Sequence, residues 1–585
     1  MRKPEQEGLN RTGKSKDKTR SKACKGTEKR MMKQKKSYFI RKEYLLPLLF
    51  TAVLSFGYLV THEAIGIDDT AVERYLEEGL EPVMGRWVLF VLNRLLQVGS
   101  FAPFVTEAVS VLLLMGSVTL WMEVFRRVLE ERVEIWCYTF AACIFLSSPI
   151  LSEVYTYYLH NGISLAYGFA AAAALFFLTF LQKGEQGLTK VDLRNPVAGV
   201  LCLTVAVGCY ESMLIVFVIG MLMLFGLIHV TGQEKKYKKT FAWAVLGVLF
   251  LLAVMLLRSL IIKCVVALYG LNDGRFANIE IAKQRSILEV LQWIGNPLAR
   301  SDFAMLLKRY FVMYYVNAIC YFPVTIFVLG VFVCLALGIF FTIRQRKGWL
   351  LVSILAFLAV PWCMLVIEGY PTHYRASQYV PLVCAYAVLL FGYAIRERGR
   401  ILKRLGALVL AILVFNQATE MNRWFYVDEL KYQDAVNTIE KLDQELKENY
   451  SSDKPVIFCG TYEVPKGIIE MVYLTPSDRK YQWIKRILDP IDIHLMEKYF
   501  APQGYGYYYS ETPLISVLDW GVNAFDETNV ELLKFMEMHG HSFLLEKDPE
   551  KYRKAEEIIK EQEMPGWPKE GSILETEEFI VVNFG

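Results

Sequence analysis

Apolar residues along this chain gather into eleven long blocks, near 44–60, 102–126, 133–150, 162–182, 196–210, 212–230, 241–262, 319–342, 349–367, 378–395 and 403–419. A helix needs about 20 apolar residues to cross a hydrocarbon layer about 30 Å thick. The pattern therefore predicts an all-α polytopic membrane protein built on a bundle of about 11 transmembrane helices. Past residue 422 the pattern changes. Asp428 to Asn449 has helical spacing and high charge, Lys454 to Gly460 reads as a buried strand ending at a turn, and Phe579 to Val582 reads as another strand. These features predict a small α/β domain after the last span.

Charge in the connections orients the bundle. The first 43 residues hold sixteen Lys and Arg against five acidic residues, with no early apolar core or cleavage site. They read as a disordered basic cytoplasmic arm whose nearest partner is the anionic face of the lipid bilayer; no nucleic-acid partner is expected. The even-numbered connections are basic: Arg126, Arg127 and Arg132; Lys183, Lys190 and Arg194; Lys235 to Lys239; Arg344, Arg346 and Lys347; Arg396 to Arg404. Excess Lys and Arg marks the cytoplasmic side. The odd-numbered connections and, with an odd span count, the carboxyl-terminal domain are then extracytoplasmic. The expected organisation is a basic arm over 1–43, a transmembrane domain over 44–420 and an extracytoplasmic α/β domain over 421–585, in the cytoplasmic membrane of a cell.

Composition narrows the class. Over 585 residues, 54% are apolar and the mean hydropathy is +0.30, which no ordinary soluble domain reaches. Nine of the eleven cysteines, Cys137 to Cys384, lie in or beside apolar blocks without metal-ligand spacing, so they read as small packing residues. No P-loop or dinucleotide fingerprint stands in a supporting context, which leaves a nucleotide-driven pump or a cytoplasmic nucleotide-sugar site without sequence support.

Candidate chemistry collects in the odd connections. Asp68 and Asp69 open the first of them, which continues through Glu81 to Gly85-Arg86-Trp87. Adjacent side chains point in different directions, so one Asp suits a general base and the other an acceptor hydroxyl, a metal or Arg86; a solvated acidic loop or a helix cap explains the pair equally. Tyr210-Glu211-Ser212 joins two spans too short for two full crossings, which predicts a recessed turn with Glu211 facing protein or a water-filled cavity. Glu211 pairing with a basic residue to fix helix packing is the plainer alternative. Arg258 and Lys263 near the end of the seventh span suit a phosphate, although five residues place them about 140° apart around a helix; snorkelling to headgroups accounts for either. Glu153, Tyr157 and His160 form one face if their loop is helical, of a kind that binds sugars, or else an interfacial aromatic belt. His373 and Arg375 complete the set, as a second phosphate candidate or an ordinary polar turn.

The order of these elements resembles the bacterial Gtr type II glucosyltransferases, within the GT-C architecture. The resemblance rests on Asp68-Asp69 after span one, Gly85-Arg86-Trp87 opening the next helix, and Tyr210-Glu211-Ser212 where that family often has Tyr-Gln-Ser. Asn422 to Tyr426, Lys431-Tyr432 and the Lys454-Pro455-Val456 strand complete it. It covers roughly residues 40–470. The resemblance implies a GT-C-like bundle that transfers a hexose, typically glucose, from a polyprenyl-phosphate carrier to a surface glycan on the outer side of the membrane. It also implies inversion at the anomeric carbon, with Asp68 or Asp69 as base and basic residues on the leaving phosphate. Glu in place of Gln at 211 leaves open a metal ligand or a buried salt bridge. No cofactor is demanded, but Mg²⁺ or Mn²⁺ on Asp68, Asp69 or Glu211 would be compatible. Competing readings are a lipid-linked sugar flippase or transporter, a surface-polysaccharide polymerase using the 264–318 connection, and a noncatalytic envelope scaffold.

Overall fold

The computed structural model describes residues 39–62, 79–96, 104–155, 160–182, 193–238, 240–271, 325–368, 374–451, 453–460, 535–546 and 548–585, with a few isolated residues between them. Helices occupy all eleven apolar blocks. They are α1 (Lys42–Thr61), α4 (Val105–Leu129), α5 (Ile135–Leu146), α7 (His160–Leu181), α8 (Arg194–Cys209), α9 (Met213–Val230), α10 (Thr240–Leu268), α11 (Thr325–Gln345), α12 (Trp349–Glu368), α13 (Val380–Ile395) and α14 (Arg400–Asn449). Among the described residues, eight helices are long and apolar enough to cross a membrane; α8, the apolar part of α12 and α13 are shorter. Three further short helices sit in odd connections: α2 (Leu80–Met84), α3 (Trp87–Leu96) and α6 (Ser152–Tyr155).

One apolar core runs through the bundle, with α5, α9 and α13 buried nearly all round. Small residues let these helices close on bulky partners: Gly220 lies against the Trp121 ring and Gly392 against Cys137. A helix apolar on every side belongs inside, whereas α10, with a single sparse row of buried residues, lies at the periphery.

The connections sort into two ends. The basic even-numbered ones are tied together by Lys236–Glu130 at 2.5 Å, Lys347–Glu234 at 2.8 Å and Lys403–Glu134 at 2.6 Å. The Gln345 amide adds a bond to the Val230 carbonyl at 3.1 Å. At the other end the odd-numbered connections meet. There Phe90 of α3 packs edge-on against Tyr269, and α6 packs on the turn at Tyr374–Ala376.

Helix α14 has 50 residues, about 75 Å at 1.5 Å per residue, more than twice a hydrocarbon thickness. The last span therefore continues without a break into a stalk, and the expected boundary at 420/421 falls inside one helix. A three-stranded sheet, β1 (Val456–Cys459), β2 (Ile573–Glu575) and β3 (Ile580–Asn583), packs on that stalk in the order β1-β3-β2, with β1 and β3 parallel and β2 and β3 antiparallel. Alternation divides its side chains. Val456, Phe458, Ile580 and Val582 meet Ala435, Ile439, Leu442 and Leu446 of the stalk, while Ile457, Cys459 and Val581 meet α15 (Pro549–Glu561). Both expected strands are present, and Gly460 ends the first at φ 85°.

Candidate functional site

Glu211 is the centre of the charged cluster at the end where the odd connections meet. Helices α8 and α9 have only 16 and 18 residues, and the turn between them holds Tyr210 and Ser212 buried. One Glu211 carboxylate oxygen accepts from Arg86 Nε at 3.3 Å and the other from Arg258 Nη2 at 3.2 Å. Arg86 also reaches the fully buried Glu81 at 3.5 Å and lies over the Tyr210 ring at 5.0 Å. The cluster thus joins connection one, connection five and the seventh span.

Gly85-Arg86-Trp87 is what allows this approach. Helix α2 ends on Gly85 in the left-handed region at φ 99°, and α3 begins at Trp87, as expected of a motif that opens a helix. A Cβ on Gly85 would stand 2.0 Å from Arg258 Nη2, so only glycine admits the guanidinium. Trp87 in turn packs on Gly208, where a Cβ would lie 2.5 Å from the indole nitrogen. Gly85→Ala is expected to cost about 1–3 kcal/mol of strain and, by displacing Arg258, at least about a tenfold loss of transfer. Thermal unfolding and kcat/KM of the purified variant check the two effects separately.

The cluster is rich in buried donors. Trp87 Nε1, Ser212 Oγ and Arg258 Nε are buried without a hydrogen-bond partner among the described residues. Buried N–H and O–H groups are costly when unmet, so the two guanidiniums on Glu211 stand in a region that still holds unspent hydrogen-bond donors. Arg375 lies within electrostatic reach of Tyr210, and so does Tyr167. The Tyr167 hydroxyl donates to the Gln378 side chain at 2.8 Å, and Gln378 donates to the Arg375 carbonyl at 2.6 Å. Glu153 is buried on α6, against the turn that carries Arg375.

Of the residues singled out in the sequence, Arg86, Tyr210, Glu211 and Arg258 thus come together, with Arg375 near them. Lys263 does not join them: it is exposed on α10, as its 140° offset from Arg258 requires. His160 begins α7, but its side chain, together with Asp68, Asp69, Tyr157 and His373, lies outside the described residues. Among the described residues no three His, Cys, Asp or Glu side chains come together for a metal. Glu211 has both oxygens on guanidiniums, so a divalent cation would depend on Asp68 and Asp69.

Sequence reasoning passed over Glu81, which holds the second side of Arg86, and the buried carboxylates Glu420 and Asp428 on the stalk. Glu420 pairs with Arg423 at 3.0 Å, and Asp428 with Lys431 at 2.8 Å. The signal was present. Glu420, Trp424, Asp428 and Lys431 recur at i, i+4, i+8 and i+11, one helical face, directly after an apolar block.

Fold and site together define a polytopic helical protein of the membrane class, with a charged cluster at one end of the bundle and a small sheet on a helical stalk. The model of the Glucosyl transferase GtrII family matches residues 57–391, more than half of the chain, and the protein belongs to that family. It is a glycosyltransferase, acting on a sugar donor and an acceptor. Neither a curated protein nor a solved structure matches the chain. The match spans Glu81, Arg86, Glu153, Tyr210, Glu211, Arg258 and Arg375, and stops before the stalk.

Proposed function

We propose that the enzyme moves a glucosyl residue from a polyprenyl-phosphate carrier to a surface glycan at the outer face of the cytoplasmic membrane, with inversion. The observation that carries this reading is the convergence of Arg86 and Arg258 on Glu211 at the end opposite the basic connections. A lipid-borne donor is confined to the bilayer and a glycan to water, so they meet at an interface. By the positive-inside rule that interface is the outer one. Asp68 or Asp69 takes the proton of an acceptor hydroxyl, whose oxygen attacks the anomeric carbon from the side opposite the phosphate. The bond from carbon to phosphate oxygen breaks, and polyprenyl phosphate departs with the electron pair. Arg86 and Arg258 offset the charge that grows on the leaving oxygen. The phosphate ester of the donor drives the reaction, so no nucleotide is consumed.

Reconstituted protein given polyprenyl-phosphate glucose and glycan acceptor should release polyprenyl phosphate and form a glycosidic bond. In cells, an impermeant maleimide added outside should label Thr70→Cys and spare Lys235→Cys. Translocation of the lipid-linked sugar without bond formation would instead support a flippase, and the reverse labelling pattern would invert the topology.

A further inference from the structure

Helices α1 and α14 run side by side and leave an open groove of about 440 Å³ near the end that bears the odd connections. Its floor is Leu54, Phe415 and Ala418, and its rim is Tyr58, Asn422, Arg423 and Tyr426. Both helices carry exposed apolar side chains beside it, Phe50 and Val53 on α1 and Val409 and Ile412 on α14. On membrane-spanning helices such surface meets lipid, so a hydrocarbon chain can enter the groove sideways.

The rim has a different character. The Tyr58 ring stacks on His62 at 3.9 Å, its hydroxyl donates to Glu429, and Tyr426 meets it edge-on at 5.8 Å while remaining 38% exposed. Asn422 donates its amide to the Leu54 carbonyl at 3.0 Å and keeps its oxygen for another donor. Arg423 donates to Glu420 at 3.0 Å. The rim therefore carries one guanidinium, paired with Glu420, and a second carboxylate, Glu429, held by the Tyr58 hydroxyl. A phosphate headgroup would bring a third negative charge to this rim, whereas a neutral sugar finds donors, acceptors and an exposed aromatic face against which its C–H bonds can pack.

We infer that this groove seats the acceptor, and that the acceptor arrives as a neutral glycolipid. One hydrocarbon chain lies on Leu54, Phe415 and Ala418, and the sugar rests on Tyr426 between Asn422 and Arg423. This inference rests on the reading that the enzyme glucosylates a glycan, and it identifies the carrier of that glycan. Helix α1, which lines the groove through Leu54 and Tyr58, ends at Thr61, seven residues before Asp68 in the sequence.

The test measures binding without turnover. Full-length protein is reconstituted in bilayers containing equal amounts of monoglucosyl diacylglycerol and phosphatidylglycerol, extracted in detergent, and its co-purifying lipid quantified by mass spectrometry. The glycolipid should be enriched by about fivefold or more over phosphatidylglycerol. Thr419→Trp, which places an indole in the groove from its lipid-facing side, should abolish the enrichment, and Tyr426→Ala, at an exposed position, should at least halve it. Equal or greater retention of phosphatidylglycerol, or enrichment that survives both substitutions, overturns the inference. The donor reading fails separately: protein that retains glycolipid but transfers no glucose from polyprenyl phosphate keeps the groove and loses the donor, and transfer without retention does the reverse.

Discussion

Asp68→Asn and Asp69→Asn should each lower glucosyl transfer by about 10²–10⁴-fold, the range for loss of a positioned general base, with membrane yield unchanged. Asn preserves the shape of the side chain and can still orient a hydroxyl, but it cannot take a proton. The two variants should therefore differ in kind. Loss of the base lowers kcat and removes the rise of kcat/KM with pH, because activity requires the ionised carboxylate and falls as pH drops through its pKa. Loss of the partner that holds the acceptor raises the acceptor KM and leaves that pH limb in place. Polyprenyl phosphate release and acceptor glycosylation, followed from pH 4 to 8 in parallel, separate the roles. Wild-type turnover in both variants would remove the aspartates from the mechanism.

How legible the molecule was depends on which physical signal each part leaves in the chain. Burial in lipid imposes long apolar blocks, so a helix could be located in each of the eleven, eight of them long and apolar enough to cross a membrane among the described residues, and basic connections two, six, eight and ten meet at one end. Alternation located β1 and β3. The continuity of α14 was not legible, because loss of apolar character after residue 419 marks where lipid ends rather than where a helix ends. The site was legible in part. Short spans around Tyr210-Glu211 implied a recessed turn, and an acid there demanded a partner, but no spacing rule links residue 211 to residues 86 and 258 across three elements. Helical phase alone separated Arg258 from Lys263. Glu81 was hidden because in an acidic loop nothing local distinguishes a carboxylate with 0% exposure from its solvated neighbours.

Arg258→Ala is the second large effect, expected to lower kcat/KM for the lipid donor by about 10²–10³-fold, as for the loss of one preorganised donor to a leaving oxyanion. Lys263→Ala on the same helix should change it less than about twofold, because that side chain is exposed and points away from the cluster. A pair of cations that merely attracted headgroups would give two small and similar losses. Stability complicates the Arg258 variant, since Glu211 would lose one of two guanidiniums while its side chain is only 23% exposed. Breaking a fully buried pair costs roughly 3–5 kcal/mol; here solvent still reaches Glu211 and Arg86 remains at 3.3 Å, so about 1–2 kcal/mol is expected. Glu211→Gln separates the two contributions. It removes the countercharge but keeps both guanidiniums and one acceptor oxygen, so thermal stability should fall while the donor KM falls or holds, the freed positive charge being available to phosphate. In Glu211→Gln the further change Arg258→Ala should restore part of the lost stability, because it deletes an uncompensated buried cation, and yet still abolish most transfer. If the double variant instead regained activity in step with stability, Arg258 would be a packing partner of Glu211 and not a ligand of the leaving group.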